Sequence, residues 1–109
     1  MKERPIDSDK IKDVEIIYYK RKSLTMASWR CAEVYMVEFW CNDMAHPVGT
    51  AWVTLVYHSA MNSPRSAYVD WIYVMEGWRH LGVASALKDS MERRWGDQLI
   101  YEPINGAEG

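Results

Sequence analysis

The residues of this chain with the clearest chemical potential stand together: Arg79-His80-Leu81-Gly82-Val83-Ala84. A chain that bends there from a strand into a helix leaves the first N–H groups of the helix without intrahelical partners, and such groups bind anions. Gly82 can take backbone angles that other residues resist and, with no side chain, lets a phosphate approach the main chain. Ala84 keeps the first helical turn thin for the same reason. Arg79, with His80 beside it, adds positive charge. The plainer reading is a glycine that starts a helix after a strand and needs no ligand.

Two elements must position that junction. Ala67 to Val74 is rich in β-branched and aromatic residues and lacks glycine and proline, which predicts a buried strand. Met75 to Leu81 is the turn. From Gly82 the period changes: Val83, Leu87, Met91 and Trp95 recur at helical spacing, with Ala84 and Ala86 widening the stripe. Gly96 follows as the C-terminal cap, and Arg93 and Arg94 in the last turn suit the negative end of the helix dipole.

This run resembles the acetyl-CoA-binding motif A of the GNAT acetyltransferases: Gln or Arg, two residues, Gly, one residue, then Gly or Ala. Arg79, Gly82 and Ala84 fill those places, Trp78 sits where an aromatic commonly precedes the motif, and Asp70-Trp71-Ile72-Tyr73-Val74 looks like the family's fourth strand. The resemblance implies an α+β fold, a GNAT-like mixed β-sheet. In that fold the fourth and fifth strands splay apart and pantetheine lies in the gap.

The rest of the chain is read in order. Residues 1–13, polar and charged, predict a mobile lead-in to a single domain over 14–102, with 103–109 a frayed tail. Val14 to Lys20 predicts a first strand, and Ser23 to Arg30 a short connection with room for one helical turn, where the family usually has two helices. Ala32 to Trp40 and Gly49 to Tyr57 predict a hairpin across the turn formers Cys41 to Pro47. His58 to Ser66 loops into the fourth strand. Gln98 to Tyr101 is a short fifth strand, parallel to the fourth if the crossover is right-handed. The order is β-β-β-β-α-β, mostly antiparallel, and lacks the C-terminal half-motif that in the family follows the fifth strand.

Composition sets limits. At 109 residues there is room for one core, and 49% hydrophobic with 26% charged residues is ordinary for a soluble domain. A net charge of -2 gives no global attraction to nucleic acid or to an anionic membrane. Lys20-Arg21-Lys22, the one basic run, reads as a solvated loop. No signal peptide and no membrane-spanning run is visible, which places the protein in the cytoplasm. Cys31 and Cys41 read as reduced, and they form no zinc spacing with His46, His58 and His80, so no metal is expected. Strands two and three carry large apolar residues on both faces, while one helix shields one face; a homodimer, by face or by edge, would cover the other.

By resemblance, the backbone groups of Val74 and Met75 would pair with pantetheine, and the N–H groups of Leu81, Gly82, Val83 and Ala84, with Arg79 and His80, would hold the pyrophosphate of acetyl-CoA. Acetyl transfer to an amine needs a base, an oxyanion stabiliser and an acid for the leaving thiolate. Asp70, with the strand parity of Val74, is the base candidate; its plain reading is a partnered or edge aspartate. Tyr101, at the end of the fifth strand, is the acid candidate; its plain reading is packing. Glu38 interrupts an apolar face and either faces the acceptor or marks an edge.

Three functions compete. The first is a minimal N-acetyltransferase using acetyl-CoA on a small-molecule or peptide amine. The second is a non-catalytic GNAT-like module that binds acyl-CoA or another protein. In the third, strand aromatics stack on single-stranded nucleic acid, which the acidic pI opposes.

Overall fold

Alternation of apolar and polar residues through the first two thirds of the chain builds an antiparallel meander. The computed structural model describes residues 5–27, 30–58 and 66–101. Strands β1 (Glu15–Ala27), β2 (Arg30–Trp40), β3 (Gly49–His58) and β4 (Ser66–Val74) pair in succession, each antiparallel to the last. Helix α1 (Val83–Trp95) and one 3-10 turn (Gly96–Gln98) return the chain to β5 (Leu99–Tyr101). This last strand is parallel to β4 and completes a five-stranded sheet in the order β1-β2-β3-β4-β5. The α+β mixed sheet is the one expected.

The predicted stripe on α1 is the buried one: Val83, Leu87, Met91 and Trp95 pack onto Val37, Phe39, Ala51, Val53, Leu55, Ala67 and Val69. The helix lies close because Gly49 has no side chain; a Cβ there would stand 2.6 Å from Val83 Cγ1. Trp95 also takes the edges of Tyr18 and Tyr35, with ring centroids 5.5 and 6.2 Å away. Gly96 ends the helix at φ 56°, its N–H bonded to Glu92 O. Cys31 and Cys41 are free thiols.

Three expectations need correcting. The connection predicted from Ser23 to Arg30 is strand for most of its length, because β1 runs on to Ala27 and β2 begins at Arg30. Nor is Lys20-Arg21-Lys22 a loop. Lys20 pairs with Tyr35 and Lys22 with Val34, so Arg21 is the extra residue of a β-bulge that breaks the alternation.

The third correction concerns β4. Trp52 pairs with Trp71 but Val53 with Val69, which makes Asp70 a bulged residue. Before it, Ala67 and Val69 face the helix; after it, Ile72 and Val74 do, two residues of opposite number parity. Asp70 therefore does not share the face of Val74. Its carboxylate accepts from Thr54 Oγ1, and Thr54 points away from the helix.

The stretch before β1 carries structure in its described part. Asp7 N donates to Leu81 O at 3.0 Å, Ile11 is 3% exposed in the core, and Asn42 bridges to the main chain of Lys10 and Lys12. The tail after Tyr101 lies outside the described residues.

Candidate acetyl-donor site

The N-terminus of α1 opens onto a cleft of about 670 Å³ lined by Ile72, Tyr73, Val74, Arg79, His80, Gly82, Val83, Ala84, Ser85 and Lys88. Its wall is one strand edge and one helix end. β5 pairs with β4 only at Ala67, Tyr68 and Val69, so from Asp70 onward the edge of β4 has no strand beside it among the described residues. The bulge falls at that parting.

The junction is a tight loop. Trp78 N donates to Met75 O at 3.0 Å, and Gly77, His80 and Gly82 all have positive φ, at 95°, 67° and 94°. Gly82 is the N-cap of α1, with no side-chain cap and no acidic residue in the first turn. The positive end of the helix dipole is thus left uncompensated by its own residues, and Arg79, His80 and Lys88 bring further donors to the same wall. These groups suit the charge of a pyrophosphate.

Of the eight residues assigned to acetyl-CoA, the cleft gathers Val74, Arg79, His80, Gly82, Val83 and Ala84. Met75 and Leu81 are not among the residues that line it. Met75 N donates to Val48 O at 2.9 Å, and Leu81 O accepts from Asp7 N while its side chain packs against the core. Arg79 Nε donates to Val74 O at 2.8 Å and its guanidinium stands 5.5 Å from the centre of the Tyr73 ring. The carbonyl expected to pair with pantetheine therefore already has one partner, on one of its two lone pairs.

Gly82 has a second reason to lack a side chain. A Cβ there would come within 2.8 Å of Ile6 Cα and Pro5 C, both main-chain atoms. The glycine thus admits the segment before β1 on one side while lining the cleft on the other.

Asp70 and Tyr101 meet at the parting of the strands but on opposite faces. Tyr101 pairs with Val69, one residue from Asp70. The tyrosine Oη donates to Glu92 Oε2 of α1 at 3.5 Å and Lys88 Nζ stands 5.7 Å from its ring centre, which sets it on the helix side. The sequence reading missed Ile72, Tyr73, Ser85 and Lys88. Lys88 follows Ala84 by one helical turn, a spacing that marks a shared face.

The model of the acetyltransferase (GNAT) family matches residues 8–101. The chain belongs to that family. The match covers every described strand and the helix, and with them every residue that lines the cleft. Neither a search of curated proteins nor one of solved structures returns a match. Among the described residues no helix is long and apolar enough to cross a membrane, and no group of three or more His, Cys, Asp or Glu could hold a metal ion.

Proposed function

We propose that the protein is an N-acetyltransferase that moves an acetyl group from acetyl-CoA to a primary amine. One observation carries this reading: β4 parts from β5 next to the cleft at the start of α1, so an extended thioester arm could lie along the free edge with its phosphates at the helix end. Arg79, His80 and Lys88, with the N–H groups of the first turn, would hold those phosphates. Val74 would offer the second lone pair of its carbonyl, and the Arg79 guanidinium would stay within reach of the phosphates.

In the transfer, the neutral amine nitrogen attacks the thioester carbonyl, a C–N bond forms and the C–S bond breaks. The nitrogen gives up one proton and the departing sulfur gains one. Asp70, at the gap on the face away from α1, takes the first proton, directly or through a water. Tyr101, at the gap on the helix face, supplies the second. The product is an amide and a free thiol.

A second reading is favoured by one contact. The main chain of Pro5 and Ile6 lies against Gly82, which explains the glycine without a phosphate and suits a module that works by protein contact.

A thermal-shift titration with acetyl-CoA, CoA and an unrelated nucleotide separates the two. Ligand at a hundredfold excess over its dissociation constant stabilises the folded state by about 2.7 kcal/mol. The enzyme reading expects a shift with acetyl-CoA and CoA alone. No shift at millimolar ligand removes it.

A further inference from the structure

The face of the sheet away from α1 carries an unbroken row of side chains. Tyr19, Met36, Trp52 and Trp71 are successive cross-strand partners on four strands. The Trp52 and Trp71 rings stand 5.6 Å apart, tilted by 36°. In the next row Glu38 is followed by Thr50 and Tyr73. Trp71 and Tyr73 are 38% and 50% exposed, so part of this aromatic surface is open to a ligand.

Two carboxylates flank the row. Glu38 accepts from Tyr19 Oη at 2.7 Å and from Trp40 Nε1 at 3.0 Å. Asp70 accepts from Thr54 Oγ1 at 2.7 Å. All three donors are neutral, and neither acid belongs to an ion pair among the described residues. Arg21, at the bulge of β1, also acts on the Tyr19 hydroxyl that donates to Glu38. Negative charge set among π faces attracts cations, since a ring face draws an ammonium as a carboxylate does.

We propose that this face holds the acceptor, and that the acceptor is an aliphatic amine carrying at least two ammonium groups. One amine, deprotonated, reacts at Asp70 beside the parting of β4 and β5. A second, charged, sits at Glu38 with the methylene chain across Trp52 and Trp71. Two strand spacings of about 4.8 Å and between two and three residues of about 3.3 Å put the Cα atoms of Glu38 and Asp70 about 13 Å apart. A triamine chain spans that separation once the acid side chains reach inward. The inference rests on the acetyltransferase reading for its chemistry but not for its binding step.

Binding is therefore tested without acetyl-CoA, by tryptophan fluorescence on adding spermidine or n-butylamine to the full chain. Spermidine should bind at least about tenfold more tightly than n-butylamine, and Glu38→Gln should remove most of that difference while leaving n-butylamine unaffected. Trp71→Ala, at an exposed position, should weaken both amines and serves if Glu38→Gln does not fold. Equal affinity for the two amines, a preference that survives Glu38→Gln, or amine binding that Trp71→Ala leaves unchanged, overturns the proposal. So does a self-association in sedimentation that Trp71→Ala abolishes, because a second copy would then own the face. Amine binding that persists where acetyl-CoA gives no thermal shift would keep the amine site and remove the enzyme reading alone.

Discussion

Thr54 Oγ1 donates a 2.7 Å hydrogen bond to Asp70 Oδ2 across the bulge that separates Val69 from Trp71. The bulge carries the Asp70 side chain out of the alternation of β4, and the threonine fixes where the carboxylate points. Thr54→Val keeps the shape and deletes the donor. In an acetyltransferase working through Asp70, kcat should fall by about tenfold, the scale of one positioning hydrogen bond, with acetyl-CoA affinity unchanged and Thr54→Ser largely restored. Steady-state kinetics beside a thermal-shift titration reads both. An unchanged kcat would release Asp70 from the base role.

Gly82 is constrained twice, by its left-handed backbone and by the main chain of Pro5 and Ile6. Gly82→Ala should cost about 2 kcal/mol or more in urea unfolding. The two causes separate on truncation: without residues 1–6 the same substitution should cost about 1 kcal/mol, the conformational part alone. Equal penalties in the long and short chains would mean that the Pro5–Ile6 contact contributes nothing.

Leu87 sits fully buried in the middle of the helix stripe, against the sheet. Leu87→Ala should destabilise the protein by about 2 to 5 kcal/mol. For a domain of this size that lowers the melting temperature by more than about 8 °C. A loss under 1 kcal/mol would show that α1 is not packed on the sheet as described.

The helix, β4 and the strand order were legible in the sequence because period is visible in residue type: Val83, Leu87, Met91 and Trp95 can share a face only on a helix. The cleft followed, since Arg79 to Ala84 lies where strand becomes helix. Bulges were not legible. Arg21 and Asp70 are each one extra residue within a strand, and nothing in composition distinguishes an extra residue from its neighbours. One such residue reversed the parity on which the role of Asp70 was argued, and the other hid half of β1 behind a basic run. The docking of residues 5–12 was hidden for a different reason: one buried side chain, Ile11, and main-chain bonds joining Asp7 to Leu81 and Lys12 to Asn42 anchor a stretch whose composition is that of a solvated tail. Met75 failed because the destination of a main-chain N–H, here Val48 O, is a tertiary fact.

At the far end of the helix-side face, Tyr57 offers a check on the sheet that involves no ligand. Its phenol is pushed from 10.0 up to about 12, first by burial and then by hydrogen bonding to Glu33, whose negative charge also opposes a phenolate. The folded state therefore holds the Tyr57 proton more tightly than the unfolded chain does. The stability it contributes is fully present below pH 10 and is lost as pH rises from 10 towards 12. Burial also raises Tyr18, and the hydrogen bond to Glu38 raises Tyr19, so tyrosinate absorbance should show several late-titrating phenols, of which one disappears in Tyr57→Phe, and the variant should lose less stability than the parent over that alkaline window. Should the number of late phenols be unchanged by the substitution, Tyr57 is not the partly buried neighbour of Glu33, and the pairing of Cys31 with Tyr57 that brings them together is wrong.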